Sequence, residues 1–344
     1  MHSLLAGPPH DTSFAHRTGA VRRLAATARV PRLRPNRMRA RVAFFGALSL
    51  APALVLPVCA RAQASGIGPV VLQLPASARA IGFGNAYVAV REAEAVFYNP
   101  AQLGVRPGVA MSLGRYRSAA TAGAVAATHV FGPIGFGIGV QFLDFDAQAP
   151  VYPALAPNGE ELLTGGPFPA SSLVAAMAFE MAIKGIRWGA AGKFAEDRAL
   201  GVRDGVLLGD VGAAKEIGIG TAGISVQNLG TSARVAGTAA ALPTRATLGY
   251  SAAGPLGPLD AVASAAVSVR RGGRVSPAGG LEVAYMPIDG ISFAGRIGGR
   301  LPEKNAESPL TLGASFTFDR LSVDYGFEPM QGEGSGHRIG LRIR

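Results

Sequence analysis

The sequence predicts an all-β fold: a transmembrane antiparallel β-barrel of about fourteen strands, preceded by an N-terminal plug, or hatch, containing short helices. Three observations predict it. Apolar and polar residues alternate with a period of two in segment after segment. The connections between those segments alternate between tight turns and longer polar stretches. A basic, then apolar, leader of the kind that directs export stands ahead of them.

The leader accounts for the charge. The chain has 344 residues and a formal net charge of +11, which suggests a nucleic-acid partner until its distribution is seen. Ten of the 33 basic residues and one of the 22 acidic ones, Asp11, fall in residues 1–62, leaving 23 against 21 for the rest. No basic tract with interleaved aromatics remains to follow a phosphate backbone, so no nucleic-acid partner is expected.

Within the leader, Met38-Arg39-Ala40-Arg41 is followed by the apolar run from Val42 to Val58 and then Ala60-Arg61-Ala62. That order is a positive n-region, an h-region and a small-x-small cleavage site. Residues 38–62 are therefore expected to be a cleaved signal peptide, with 1–37 an upstream extension of the true start at Met38. An uncleaved signal anchor fits less well because Pro52 and Pro57 interrupt the helix. A lipid-modified Cys59 lacks the small residue usual before it. Cys59 is the only cysteine and leaves with the leader, so the mature chain has no disulfide framework.

Residues 66–104, within the hatch expected at 63–106, do not alternate. Leu74 to Ala86 reads as glycine-rich turns with short helical pieces, and Glu92 to Phe97 as one helical turn ended by Asn99-Pro100-Ala101. Placed between export signal and first strand, this segment is expected to sit inside the barrel as a hatch. For Gly82 and Gly84 the plainer role is a permissive turn backbone. For Asn99-Pro100 it is a helix stop.

Residues 107–344 carry the strands. Leu310, Leu312, Ala314, Phe316 and Phe318 fall on one face, and Thr311, Gly313, Ser315 and Thr317 on the other. Such segments are expected at about 108–118, 122–131, 134–147, 169–183, 185–199, 203–216, 218–230, 242–253, 258–270, 275–287, 290–300, 308–318, 320–328 and 335–344, each near the ~9–11 residues that cross a bilayer on a tilt. Tight turns are expected at Gly132-Pro133, Lys184, Ile217, Gly254 to Gly257, Ile288-Asp289 and Asp319. Longer connections fall at 148–168, 231–241, 271–274, 301–307 and 329–334. Short periplasmic turns with long outer loops are the pattern of outer-membrane barrels. Backbone groups in hydrocarbon must pair, and closure removes the unpaired edges. Arg187, Lys193, Asp210, Asp324, Arg338 and Arg342 would then face a hydrated lumen. The alternative, a soluble sandwich or small barrel with these charges in solvent, fits the strand number poorly.

Several stretches resemble the PorV/PorQ family, within the broader FadL-like outer-membrane barrels. They are Arg79-Ala80-Ile81-Gly82-Phe83-Gly84-Asn85-Ala86-Tyr87-Val88-Ala89-Val90, Ala95-Val96-Phe97-Tyr98-Asn99-Pro100-Ala101-Gln102-Leu103, Val226-Gln227-Asn228-Leu229-Gly230, Leu242-Pro243, Asp324-Tyr325-Gly326-Phe327 and His337-Arg338-Ile339-Gly340-Leu341. The resemblance implies a fourteen-stranded barrel in the cell outer membrane whose hatch carries the Asn-Pro-Ala motif, with Arg79, Gly82 and Gly84 in the same plug. It implies two roles among relatives: type IX-like secretion or surface docking of cargo proteins, and, as the alternative, passage of hydrophobic small molecules. Outer-membrane lipid and the barrel-assembly machinery are the further expected partners. The chain departs from the family in ending Arg342-Ile343-Arg344, without the aromatic that often aids assembly.

Enzymatic signals are weak. Gly218-Ile219-Gly220-Thr221-Ala222-Gly223 fits a dinucleotide fingerprint by letter, but strand-like residues follow it where a helix is required, so no cofactor is expected. His129 and His337 are the only histidines after the leader, too few for a histidine metal site. Either could in principle serve a barrel-embedded lipase, a distant third function, though no nucleophile-elbow motif supports it.

Overall fold

The computed structural model describes residues 68–104, 107–116, 120–148, 152–155, 161–164, 167–199, 201–235, 238–301, 308–330 and 334–344. The leader expected at 1–62 lies outside them. In chain order the strands are β1 (Gly108–Tyr116), β2 (Ala120–Phe131), β3 (Ile134–Gln148), β4 (Tyr152–Leu155), β5 (Glu161–Thr164), β6 (Pro167–Ile183), β7 (Ile186–Ala199), β8 (Val202–Ile217), β9 (Gly220–Leu229), β10 (Ala233–Val235), β11 (Thr238–Ala240), β12 (Arg245–Leu256), β13 (Leu259–Arg270), β14 (Val275–Ile288), β15 (Ile291–Arg300), β16 (Leu310–Phe318), β17 (Leu321–Pro329) and β18 (Ser335–Ile343). Fourteen of them close into one antiparallel barrel, in the order β1-β18-β17-β16-β15-β14-β13-β12-β9-β8-β7-β6-β3-β2. The seam joins the chain's two ends: β1 pairs with β18 from Val109↔Ile343 to Tyr116↔Gly336.

The alternation decides the faces. Leu113, Val125, Ile138, Phe179, Ile297 and Leu312 are exposed on the outside. Their neighbours, such as Gly114, Ala124 and Ala178, are buried inside. Phe131, Trp188, Tyr285 and Phe318, all exposed, lie on the strands near the tight turns, where an aromatic girdle meets the membrane interface. His129 stands outward beside that girdle, its ring 4.5 Å from that of Phe131. An apolar exterior on a closed barrel is a form in which every strand's backbone groups are paired while the outer face meets lipid.

The six tight connections expected from the sequence fall at one end, each with a left-handed residue at the corner: Gly132, Lys184 with Gly185, Gly218, Gly257, Gly290 and Asp319; a further tight turn, between Ala199 and Val202, lies at the other end. The turn expected at Gly254 to Gly257 is shorter, because β12 runs on to Leu256 and pairs it with Leu259. Gly257, at φ 67°, then makes the corner. Two connections expected to be loops contain hairpins, β4–β5 and β10–β11. The second turns inward with Ala233 and Ala240 buried, and pairing satisfies backbone groups that have left water.

Strand lengths are uneven. β3, β6, β7 and β8 have 15, 17, 14 and 16 residues, whereas β1, β16, β17 and β18 have 9 each. With the tight turns level, the surplus of the tall sector stands at the long-loop end. At a tilt near 40° it rises roughly 13–20 Å above the short sector.

Candidate functional site

Residues 68–104 cross the inside of the barrel. A short helix, α1 (Ala78–Gly82), starts at Ser77, whose side chain caps it by accepting from the Ala80 N–H. A 3-10 turn over Ala93–Phe97 and another over Pro100–Gln102 follow. Asn99 caps the last: its Oδ1 accepts from the Ala101 N–H at 3.0 Å, and its Nδ2 donates to the Val88 carbonyl at 2.8 Å. The expected helix stop is thus also a tie between two parts of the hatch.

Glycine makes room for it. Cβ atoms added to the wall at Gly326, Gly280 and Gly249 would lie 2.6 Å from the Ala78 carbonyl, 2.5 Å from Phe83 Cα and 2.6 Å from Val88 Cγ1. At Gly212 and Gly189 they would strike Asn99 and the Pro100-Ala101 backbone. Glycine inside a strand weakens it and commonly marks close approach of another backbone. Of the two hatch glycines singled out, Gly84 has φ 63° and turns the chain, as expected. Gly82 instead lies inside α1, where an added Cβ would lie 2.9 Å from Arg296 Cδ.

Ion pairs fasten the hatch on the short side. Arg79 on α1 binds Glu282 of β14 at 2.6 Å and also pairs with Glu92 of the hatch. Glu92 pairs with Arg342 of β18 at 2.6 Å, and Arg342 also holds Asp324 of β17 at 2.6 Å. Arg296 bridges Asp324 at 3.0 Å and Glu282. Arg338 donates to Ser112 Oγ at 2.9 Å, and Ser112 donates to the Ala76 carbonyl at 2.7 Å. Burial opposes ionisation of Glu92, yet Arg342, Arg79 and Arg344 together hold its carboxyl well below the usual range. Burial, with the charge of Glu92 beside it, pushes Glu94 up to about 7.

On the tall side the contacts differ. Arg187 of β7 donates to Gln102 Oε1 at 3.0 Å and pairs with Glu216 at 2.8 Å. Arg91 pairs with Glu180 of β6 at 2.6 Å. Lys193 and Asp210 form a wall pair at 2.5 Å, well inside the barrel. A bulge aims Asp210 there: Gln227 and Asn228 of β9 together face it, and the Asn228 N–H donates to it at 2.8 Å. Towards the long-loop end the inner wall becomes apolar. Leu143, Val174, Ala195 and Leu208 form one cluster with Val71 of the hatch and with Ala233, Ala240 and Leu242. Gln141 donates to the Val71 and Leu74 carbonyls, tying residues 70–74 into this chamber. The cavity left between that segment and Phe97, Tyr98, Lys193 and Arg245 is about 20 Å³, room for roughly one water.

All six charged residues assigned to the lumen from the sequence therefore point inward and are buried. The pattern did not single out Glu92, Glu180 and Arg296, which pair with members of that set, nor Glu282, which pairs with Arg79 and Arg296, nor Arg300 and Glu328, which pair with each other. Glu180, Glu282 and Arg296 were detectable, because each occupies the glycine-bearing face of its own strand, as in Gly280-Leu281-Glu282 and Arg296-Ile297-Gly298.

Fold and interior together define a class: a closed fourteen-stranded outer-membrane-type barrel with a hatch packed in its lumen. No protein-family model matches the chain, and no curated protein matches its sequence. Solved structures do share the fold. The toluene transporter TodX of Pseudomonas putida is similar at a TM-score of 0.54 and 10% identity, over 78% of this chain and 97% of that one. The monoaromatic hydrocarbon channel CymD is similar at 0.51 and 11%, over 78% and 96%.

Proposed function

We propose that the chain is a FadL-like outer-membrane channel for hydrophobic small molecules, exported by the signal peptide at 38–62. One observation carries this reading: below a polar rim that includes Ser172 and Asp197 the inner wall of the tall sector is apolar, and the protein fills that chamber with its own Val71 and Leu72. The fold shared with a toluene transporter and a monoaromatic hydrocarbon channel supports it. In this reading Asn99-Pro100-Ala101, with Gly82, Gly84 and Arg79, belong to a movable hatch. Arg187, Lys193, Asp210, Asp324, Arg338 and Arg342 line the lumen that it closes.

The test is toluene uptake into outer-membrane vesicles, whose lipopolysaccharide leaflet slows passive entry. Vesicles carrying the protein should take up toluene faster than vesicles lacking it. Val174→Asp, which charges the chamber wall, should lower the added flux about tenfold, the scale of ~1.4 kcal/mol. Equal uptake with and without the protein would remove the reading.

The PorV/PorQ-like role in type IX-like secretion or cargo docking has a separate support. The tall sector carries Asp144, Ser171, Arg198 and Arg203 around an outward cleft of about 230 Å³ near its raised edge. Co-purification of a secreted cargo, lost on Arg203→Glu, would favour that role over transport.

A further inference from the structure

On the outside of the short sector, next to the long-loop end, three side chains form a continuous hydrogen-bonded row. Ser335 Oγ lies 2.7 Å from His337 Nε2, and Tyr325 Oη lies 2.7 Å from His337 Nδ1. Ser335 and His337 are two residues apart on β18, and Tyr325 is on the adjacent β17, paired with Ile339. All three belong to the outward row that continues into exposed Ile339 and Ile343. Phe327 flanks the imidazole at 5.2 Å between centroids. Arg115 of β1, exposed on the same outward face, sits directly opposite His337 across the seam.

We propose that Ser335, His337 and Tyr325 form a second, catalytic site that hydrolyses acyl esters of lipids at the outer-leaflet interface. The chemistry needs a serine hydroxyl on one imidazole nitrogen and an orienting group on the other. In the productive tautomer Nδ1–H donates to Tyr325 Oη, which leaves the Nε2 lone pair facing Ser335. Ser335 Oγ attacks the ester carbonyl carbon, forming a C–O bond as its proton passes to Nε2. The tetrahedral adduct collapses, the ester C–O bond breaks, and Nε2 returns the proton to the departing lysolipid alcohol. Water, deprotonated by the same nitrogen, then releases the fatty acid and regenerates the serine.

Placement selects the substrate. The row stands where the apolar exterior ends, the depth at which ester linkages sit above the acyl chains. Arg115 offers a cation to a headgroup phosphate, a pairing guanidinium geometry favours. Tyr325 is neutral and supports the imidazolium less than a carboxylate would, so it acts as a positioning residue.

The experiment uses the full chain refolded in detergent, with heat-modifiable gel migration confirming the barrel in every variant. A fluorophosphonate probe should label Ser335, mapped by mass spectrometry, and phosphatidylethanolamine in mixed micelles should release fatty acid. Ser335→Ala and His337→Ala should each lower release at least ~100-fold, the usual reach of general acid–base catalysis. Ser335→Ala should also abolish labelling. Tyr325→Phe should keep the label and lower the rate about tenfold, a smaller effect suited to a positioning group. Absence of Ser335 labelling in the unaltered protein, or release unchanged by Ser335→Ala, overturns the proposal. Toluene uptake should be the same in Ser335→Ala, so the two activities fail separately.

Discussion

The tall and short sectors of the wall solve the same problem with different means. On the side that includes the short strands, β14 to β18 present Glu282, Arg296, Asp324, Arg338 and Arg342, and the hatch answers with Arg79 and Glu92. On the tall side the outer half of the inner wall is Leu143, Val174, Ala195 and Leu208, and the hatch answers with Val71. Apolar contact is non-directional and tolerates sliding, whereas a buried ion pair must be remade atom by atom. The hatch is therefore held by a network of buried ion pairs along one side, and along the other by Arg91–Glu180 and Arg187–Gln102 with apolar packing towards the long-loop end. A solute path that leaves the ion-pair network intact runs down the tall side.

The largest expected effect comes from breaking the fastened side. Arg342→Ala leaves Glu92 and Asp324 without the guanidinium that joins them, and should destabilise the hatch by about 3–5 kcal/mol. Limited proteolysis of residues 68–104 in detergent should then become rapid, with the barrel itself still heat-modifiable. Resistance equal to the original protein would show that the ion pairs do not hold the hatch.

A smaller effect separates the sectors by height. Ile297→Arg puts a charge on the outside of a ten-residue strand with no length to spare, and should cost roughly 2–4 kcal/mol on refolding into vesicles. Leu207→Arg, near the raised part of β8, should cost under about 1 kcal/mol, because charge near the interface is tolerated. Arg198 and Arg203 already stand on that side, 57% and 66% exposed. Equal costs would mean that the membrane does not divide the two sectors as their lengths indicate.

The smallest effect concerns Glu94. Its Oε1 accepts a hydrogen bond from the Ser77 hydroxyl, while Oε2 has no partner among the described residues. Its pKa in the folded protein is raised to about 7, so its contribution is complete below the ordinary carboxyl range and is lost as pH climbs from about 4.5 to 7. Glu94→Gln should flatten that decline and stabilise the seated hatch on the order of 1 kcal/mol at pH 8. Thermal midpoints measured from pH 4 to 8 decide it, and parallel curves for both proteins would remove Glu94 as the source.

Much of the wall was legible in the sequence because a half-buried strand writes its two faces on alternate residues. Leu310 to Phe318 shows this in nine letters, and β18 begins and ends within a residue of its expectation. The two small hairpins were not legible, since Tyr152–Leu155 and Glu161–Thr164 have four residues each, Ala233–Val235 and Thr238–Ala240 three, and none has room for a period. Nor was the bulge at Asp210, which depends on a count across two strands. The Asn-Pro-Ala segment was visible as a local stop, but its seat on Gly189 and Gly212 is a contact over about ninety residues or more of chain that no local pattern reports. Likewise His337 looked isolated in sequence. Its partner Tyr325 lies twelve positions away, brought beside it by strand pairing.

Ser112 has a consequence for how the molecule is made. It sits on the first strand, receives a hydrogen bond from Arg338 on the last, and gives its own proton to the Ala76 carbonyl of the hatch. The join that turns a ribbon into a ring thus shares an atom with the contents of the ring. During biogenesis a ring shut around an absent hatch would leave that hydroxyl unspent, and a hatch seated in an open ribbon would lack its far wall. One hydroxyl thus couples closure of the ring to the seating of the segment inside it.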